Sequence, residues 1–554
     1  MKKNLVSLGF DLGTTYSSLA FAGTKFQSSV GIAPKASIAT DKTGATLAKQ
    51  FVPSAVCAYL ENGELKWAIG AEAFERAETF GEDAHLYENY KLSIGGANFS
   101  ENEYRKRDTN PELLKQLQHQ TPESVAQHLI KHLFELAFSP NWGRLDPEID
   151  EVESVTVTVP ALWPDNYQRS VRGVFINALK RYDVSVVRTL EEPLAALHHQ
   201  IRSAPHLLSG PAKKVLVIDY GGGTCDIALV EIKREAKEIV ADYGEIGRVL
   251  GRSSMPRGGV LFDHRIAEEL KLKLESSEFK RDRKWYWREA EKLKINFSNQ
   301  LRDASSGGVA LLRHRIQHSD INQEITMTVQ KFSEIIRPEL EQLEPTIRAA
   351  LLDAGIRSLS DVRHIFLVGG TALLPLVREE VIRIFDKSTE ITDSEPRLAV
   401  VYGAAKQAYR EDFGYGFGIG VTAKEDVWLS GLFGGIRVVK KGQSLPIRYR
   451  KTIFWVKSGD EIEVMLYKGR RLFPSQEKRM RPRCYKLSKP ARIGTKFVFK
   501  ADIDSTGLMD FILTRPNHPK DTFDLNLSVP VEHDDQAMAR RAGLEEAKEK
   551  WETL

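Results

Sequence analysis

The sequence predicts an α/β protein with two related lobes, followed by a small all-β domain and a short C-terminal helix. Three observations lead to this prediction: a strand–turn–strand pattern that occurs twice, strands that alternate with helices, and a change to short strands near residue 412. Because 554 residues exceed what one hydrophobic core usually organises, we expect at least two domains.

The first observation is the repeated pattern. Its first copy, FDLGTTYSSLAF, covers residues 10–21, where an apolar strand ends at Asp11 and a tight Gly-Thr-Thr turn leads into a second apolar run. Its second copy, VLVIDYGGGTCDIALVEI, covers residues 215–232 and places Asp219 at the same point. A repeat over so long a distance is typical of a duplicated domain rather than of a solenoid.

The second observation is the alternation of strands and helices. The β-branched run VESVTVTVPALW (152–163) precedes a helical stretch and another strand, VSVVRTL. The run IFLVGG (365–370) ends in a glycine pair, and a helical stretch follows it. Such alternation indicates a mostly parallel sheet that is covered by helices.

The third observation is the change in the C-terminal part. Short strands separated by Gly, Pro, Asn and Asp predict an all-β domain, and residues 412–530 carry 22 Lys/Arg against 12 Asp/Glu. We predict these boundaries: lobes 1–411, linker 412–417, β domain 418–530 and a short helix over 531–554.

Composition limits the class of protein. Hydrophobic residues make up 42% and charged residues 28%, and the net charge of +4 does not indicate a nucleic-acid partner. Three widely separated cysteines favour a reducing compartment, and no apolar run predicts a leader or a membrane span, so we expect a cytoplasmic protein. The basic run 467–486 fits a solvated loop better than an RNA, lipid or acidic-protein site.

The turns of the repeated pattern indicate phosphate chemistry. Gly-rich turns expose backbone N–H groups to phosphate oxygens, and an aspartate at each tip can hold hydrated Mg²⁺. Either turn alone is better explained by an ordinary hairpin with a solvated aspartate, but the two together strongly favour a polyphosphate site. Neither GxxxxGK[ST] nor GxGxxG occurs, which excludes a P-loop and a Rossmann site.

The motifs follow one another in a recognisable order between residues 5 and 409: FDLGTTYS, VTVPALW, LEEPLAA, VIDYGGGTCD, GGVLFD, EKLKINFS, LVGGTALLP and AVVYGAAKQA. This order resembles the actin, sugar kinase and heat-shock ATPase superfamily, and specifically the DnaK-type 70 kDa heat-shock chaperones. The resemblance implies an actin-like ATPase domain with ATP or ADP and Mg²⁺ as cofactors.

The resemblance also implies roles for matching positions. Asp219, Glu192 and Thr224 would be catalytic, and Asp11 and Asp219 would hold magnesium through water. The positions implied to bind the nucleotide are Gly13, Thr14, Thr15, Tyr16, Gly221, Gly222, Gly223, Thr224, Glu291, Lys294, Ser298, Gly369, Gly370 and Thr371.

One departure from the family concerns a lysine that reaches the terminal phosphate. Phe74 stands at the matching place, no lysine occurs in residues 71–90, and the segment before Lys91 is about two residues longer than usual. We therefore predict slow hydrolysis, with Arg76 as a partial substitute.

A second departure concerns the base. The family encloses adenine between two arginines, but Ile295 and Leu373 stand at the matching positions, and Arg397 replaces an aspartate. These changes make the base selectivity an open question.

The predicted β domain is similar to the family's peptide-binding sandwich, more faintly than the lobes are. The family's leucine-rich linker is missing, and the sequence after residue 530 predicts one short helix in place of a long lid. We therefore expect a lidless client site from which a bound peptide dissociates quickly, at a rate that depends only weakly on ATP.

The function predicted from the sequence is an ATP-binding, DnaK-like chaperone that binds unfolded client polypeptides or one dedicated protein partner. The sequence does not identify its co-chaperones. The alternative is a nucleotide-sensing scaffold with little turnover. A small-molecule kinase is disfavoured by the β domain.

Overall fold

The computed structural model describes residues 5–23, 31–32, 38–40, 46–48, 51–94, 110–138, 151–163, 165–182, 184, 186–234, 244–274, 283–303, 311–318, 321–385, 389–393, 396–413, 417–431, 434–455, 458–464, 466–468, 483–505 and 507–525. The predicted C-terminal helix over 531–554 lies outside these residues, as does most of the basic run 467–486.

The first part of the chain forms β1 (Leu5–Asp11), β2 (Tyr16–Gly23), β3 (Gly31–Ile32), β4 (Ile38–Thr40), β5 (Thr46–Ala48), β6 (Val52–Pro53), β7 (Val56–Glu61), β8 (Glu64–Ile69), α1 (Ala71–Phe80), β9 (Ala84–Tyr87), α2 (Pro111–Leu117), α3 (Pro122–Phe138), β10 (Glu151–Val159), α4 (Asp165–Leu179) and β11 (Val186–Glu191).

The second part forms α5 (Glu192–Gln200), β12 (Lys213–Tyr220), β13 (Cys225–Ile232), β14 (Gly244–Met255), α6 (Gly259–Leu274), α7 (Arg283–Asp303), β15 (Leu311–His318), β16 (Ile321–Thr328), α8 (Val329–Leu340), α9 (Leu343–Asp353), β17 (Val362–Val368), α10 (Pro375–Ile384), β18 (Glu390–Thr392), α11 (Ala399–Phe413) and β19 (Phe417–Gly420).

The remaining described strands are β20 (Val427–Gly431), β21 (Gly434–Val439), β22 (Ile447–Phe454), β23 (Gly459–Val464), β24 (Leu466–Lys468), β25 (Arg483–Ala491), β26 (Lys496–Ile503), β27 (Met509–Thr514) and β28 (Thr522–Asp524). Their apolar faces enclose one core of residues such as Val427, Phe497, Phe499 and Phe511. We call residues 421–525 the β segment.

Two sheets repeat one arrangement. In the first sheet, of order β11-β10-β1-β2-β3, β1 pairs antiparallel with β2 and parallel with β10. In the second sheet, of order β18-β17-β12-β13-β14-β19, β12 pairs antiparallel with β13 and parallel with β17. Each Asp-tipped hairpin of the sequence therefore stands at the centre of its sheet, as a duplicated unit requires, and the α/β class is confirmed.

Helices α5 and α11 cross where the two sheets approach each other. A Cβ atom on Gly403 in α11 would lie 1.5 Å from the backbone oxygen of Ala195 in α5. A Cβ on Gly9 in β1 would lie 2.3 Å from the backbone nitrogen of Ala405. The backbones thus meet directly, and glycine is required at both positions because no side-chain atom fits between them.

Replacing Gly403 with alanine is expected to lower the free energy of unfolding by about 2–3 kcal/mol, because the added methyl group pushes two packed helices apart. Thermal denaturation would measure this loss. The matched control is Gly173→Ala in α4, where an added Cβ meets nothing within 4 Å and where alanine favours the helix by up to about 1 kcal/mol. Equal stability of the two variants would contradict the close crossing.

The predicted linker boundary is corrected by the structure. Helix α11 continues through Phe413, and β19 pairs in parallel with β14 at the edge of the second sheet. The boundary predicted at residue 418 therefore falls inside a strand. The sequence FGIG lacks β-branched density, so its pairing with a long neighbouring strand could not be seen from local propensity.

The β segment contacts both of the preceding parts. With the first part, the Lys424 ammonium lies 2.9 Å from Glu191 Oε1, and Arg252 Nε lies 2.7 Å from Oε2 of the same carboxylate. With the second part, Lys441 pairs with Asp353 of α9. At a second point, Arg169 and Arg172 of α4 reach Asp510 and Asp504, at 2.7 Å and 3.4 Å.

No helix among the described residues is both long enough and apolar enough to cross a membrane.

Candidate functional site

A cavity of about 380 Å³ opens between the two hairpin turns. Every residue that the sequence assigned to nucleotide, metal or catalysis lines it: Asp11, Gly13, Thr14, Thr15, Tyr16, Glu192, Asp219, Gly221, Gly222, Gly223, Thr224, Glu291, Lys294, Ser298, Gly369, Gly370 and Thr371. The structure thus brings the whole predicted set together, while the role of each residue stays a prediction.

The two turns face each other at close range. A Cβ atom on Gly222 would lie 2.4 Å from Thr15 Oγ1, and one on Gly223 would lie 2.5 Å from Thr14 Oγ1. A third loop joins them, since Thr371 Oγ1 donates to the backbone oxygen of Gly221 at 2.8 Å. Glycine in the second turn is therefore required by the threonines of the first.

Buried carboxylates form one end of the cavity. Burial, reinforced by the charge of Glu192, raises the pKa of Asp11 to about 6, although Thr158 Oγ1 donates to its Oδ1 at 2.9 Å. Burial and Glu192 also raise the pKa of Asp219 well above its usual value. In the next strand, burial raises the pKa of Asp226 to about 7. This excess of negative charge favours a bound cation.

Lys91 is the residue that sequence reasoning missed. It lies in the short 3₁₀ turn Tyr90–Ser93, lines the cavity, and places its Nζ 2.6 Å from Glu192 Oε1. Burial opposes its charge, but Glu192 and Asp11 outweigh that effect and raise the pKa of Lys91. A charged lysine is therefore present beside the predicted phosphate turns.

The expectation that no lysine reaches this site is wrong, because Lys91 lines the cavity, and Arg76, the expected substitute, does not line it. Arg76 is on the surface of α1, where it pairs with Glu72 at 2.9 Å, and it does not line the cavity. Phe74 packs against the core between α1 and β7. The available signal was a lone lysine between apolar neighbours, Tyr90 and Leu92, shortly before a glycine pair.

The other end of the cavity contains more apolar surface. Lys294 Nζ pairs with Asp263 at 2.7 Å and donates to the backbone oxygen of Gly259 at 3.1 Å. Ser298 Oγ donates to the backbone oxygen of Leu373 at 3.0 Å. Ile295 and Leu373 line the wall, as their place in the sequence predicts.

Two arginines, Arg302 and Arg397, also line this end, although the sequence assigned neither of them to the nucleotide. The Arg397 guanidinium lies 3.8 Å from the ring centre of Phe51 and 5.3 Å from that of Tyr16. Arg302, one turn beyond Ser298 on α7, also lines the cavity. A flat, positively charged surface is therefore available here although Ile295 and Leu373 are apolar.

The fold and the cavity define a class: an α/β protein whose two repeated sheets hold paired Asp-tipped turns around one cleft. Comparison of sequences gives the family. The model of the Hsp70 protein family matches residues 101–410, and the chain belongs to the Hsp70 family.

Individual relatives agree with this. The chain is 28% identical over 409 residues to the chaperone protein DnaK of Nitrosopumilus maritimus. This match covers 72% of the present chain and 55% of the relative. It is 27% identical over 417 residues to the chaperone protein HscA homolog of Actinobacillus pleuropneumoniae, covering 73% and 57%. It is 30% identical over 293 residues to the chaperone protein HscA of Cronobacter sakazakii, covering 52% and 40%. The matched region spans about half the length of these relatives.

Proposed function

We propose that this chain is a Mg²⁺-dependent, ATP-hydrolysing chaperone of the Hsp70 family, in which the two sheets form an actin-like ATPase domain. The observation that carries the proposal is the single cavity on which both Asp-tipped turns and the Lys91–Glu192 pair converge. A cytoplasmic location stays part of the proposal.

The donor set fits Mg²⁺. This ion prefers oxygen ligands and retains several water molecules. Asp11 and Asp219 offer carboxylate oxygens in a site where burial, and then the charge of Glu192, raises the pKa of both groups. Asp11 and Asp219 would hold the ion through water, and the ion would neutralise charge on the phosphates.

The protein's own groups would position the reaction. Backbone N–H groups of the two turns would bind phosphate oxygens, and Lys91 would supply a fixed positive charge at the terminal phosphate. Glu192 holds Lys91 in place by a buried ion pair. Phosphoryl transfer needs mainly such positioning and charge, so the ground for predicting slow hydrolysis is removed.

The β segment is proposed to hold a client polypeptide and to respond to the nucleotide. Glu192 contacts Lys91 in the cavity, and the preceding residue, Glu191, contacts Lys424 of the β segment. Two consecutive residues thus link the proposed phosphate site to the proposed client site. This link argues against the weak response to ATP that the sequence led us to expect. Residues 526–554 lie outside the described residues, so the lidless client site and its rapid release stay predictions.

Calorimetry of ATP binding with Mg²⁺ and with EDTA tests the site. We expect ATP to bind to the wild type more tightly with Mg²⁺, and we expect Asp219→Asn to lose most of that difference because it removes a carboxylate beside the ion. Asp361→Asn, at an exposed aspartate far from the cavity lining, is the matched control. Binding that is equally tight in EDTA would contradict the assignment.

The scaffold alternative predicts binding without turnover. Phosphate release from bound ATP distinguishes the two functions, since a scaffold would release almost none with or without added peptide.

A further inference from the structure

Two histidines and a glutamate meet at the edge of the second sheet opposite β19. His206 comes from the 3₁₀ turn Pro205–Leu208, His364 from β17 and Glu390 from β18. One oxygen, Glu390 Oε2, lies 3.0 Å from His206 Nε2 and 3.3 Å from His364 Nδ1. The three ligand atoms all lie within 4.8 Å of one another. None of these residues lines the cavity described above.

The backbone fixes two of the three side chains. His364 and Glu390 are direct partners in the parallel pairing of β17 with β18, so they project from the same face. Thr392 follows on that face, and its Oγ1 lies 2.9 Å from His364 Nε2. The cluster is therefore a consequence of strand register rather than of chance contact between mobile surface groups.

The surroundings of His364 point to a cation. Its side chain is fully buried (0% exposed), and the group that the described residues place against its Nδ1 is the Glu390 carboxylate, at 3.3 Å and without good hydrogen-bond geometry. If Nε2–H donates to Thr392, the Nδ1 lone pair faces the carboxylate of Glu390, which is also an acceptor. A metal ion between them would satisfy both, and the Thr392 contact is the outer hydrogen bond that metal-binding histidines commonly make.

We propose that His206, His364 and Glu390 form a Zn²⁺ site with water in the fourth position. Two imidazole nitrogens and one carboxylate oxygen suit Zn²⁺, whereas Mg²⁺ and Ca²⁺ prefer oxygen ligands alone. Tetrahedral Zn²⁺ with such ligands separates the ligand atoms by roughly 3.4 Å. Glu390 Oε2 lies 3.3 Å from His364 Nδ1, close to that separation, and 3.0 Å from His206 Nε2, where the half-exposed His206 has room to move outward.

The ion would join the 3₁₀ turn Pro205–Leu208, which comes shortly after α5, to strands β17 and β18 of the second sheet. Helix α5 begins at Glu192, and β12, which follows the turn, carries Asp219 near its other end. The zinc site would therefore hold the segment between α5 and β12. Glu192 and Asp219, the proposed catalytic residues, lie at the far ends of these two elements.

Zinc titration of the full chain tests the proposal. Competition with a fluorescent chelator would give the affinity of the protein for Zn²⁺. Excess Mg²⁺ would occupy sites made of oxygen ligands alone. All variants would be made in a Cys484→Ser background, which removes the exposed thiol. We expect one Zn²⁺ per chain, and roughly tenfold or greater weakening in His206→Gln and in Glu390→Gln. His119→Gln, at an exposed histidine elsewhere, is the matched control and should bind like the background.

Two further measurements, of the melting temperature and of the Co²⁺ absorption spectrum, test the site without using ATP. Zn²⁺ should raise the melting temperature of the background protein and of His119→Gln but not of Glu390→Gln, and Co²⁺ should give the visible spectrum of a four-coordinate site. Equal affinity in all variants would overturn the proposal. So would the absence of saturable binding, which would identify a metal-free cluster in which His364 Nδ1–H donates to Glu390.

Discussion

Replacing Lys91 with methionine is expected to slow the hydrolysis of bound ATP by roughly a hundredfold or more, which corresponds to a loss on the order of 3 kcal/mol of transition-state stabilisation. The reason is that Lys91 places a buried positive charge beside the phosphate turns, 2.6 Å from Glu192. Methionine keeps the length of the side chain but removes the charge. Single-turnover hydrolysis of prebound ATP is the measurement, and calorimetry shows whether the variant still binds nucleotide.

Two variants of α1 are the controls for Lys91. Arg76→Ala should leave the rate unchanged, because Arg76 is a surface residue paired with Glu72. Phe74→Lys should not accelerate hydrolysis, because Phe74 packs into a core away from the cavity. A wild-type rate in Lys91→Met, or an equal loss in Arg76→Ala, would show that the charge is supplied from elsewhere.

Replacing Lys424 with alanine is expected to uncouple the β segment from the nucleotide. Burial alone would raise the pKa of Glu191, yet Arg252 and Lys424 bring it down to about 2, so the carboxylate is charged and depends on both partners. Removing one partner of a buried ion pair costs about 3–5 kcal/mol. That exceeds a typical coupling free energy between sites, about 1–3 kcal/mol, so the effect of ATP on peptide release should be lost.

Stopped-flow release of a labelled peptide, with ATP and with ADP, measures the coupling. The control is Arg172→Ala, which removes an ion pair with Asp504 across the same boundary. The Arg172 side chain is 29% exposed and that of Asp504 is 42% exposed. Exposed pairs are worth only about 0.2–1 kcal/mol, so this control should retain most of the ATP effect. If Lys424→Ala keeps the full effect, the contact through Glu191 does not transmit it.

The sequence predicted well whatever depends on strong local patterns. The hairpins that begin at Asp11 and Asp219 have apolar strands, glycine turns and long uninterrupted pairing, so their form follows from short-range chemistry. The glycine pair at Gly369 was recognised for the same reason. Because these turns sit at corresponding points of two repeated sheets, their convergence on one cavity could also be expected.

The sequence could not predict side chains that arrive from distant segments. Lys91 reaches the cavity from a 3₁₀ turn and Arg397 from the turn before α11, and neither was assigned to the nucleotide from the sequence. The segment before Lys91 is about two residues longer than the family pattern suggests, so the pattern did not mark this lysine. The pairing of β19 was missed since a short glycine-containing strand takes its structure from its neighbour.

Strand β19 also determines how the chain can be divided. It covers β14 at the edge of the second sheet, from Gly244 to Arg248. A fragment that stops at residue 411 would expose that edge as a row of unpaired N–H and C=O groups, which is a template for pairing between copies and for aggregation. A fragment that stops at residue 420 would keep the covering strand. The last residues of the proposed ATPase domain are thus those that protect it from self-association.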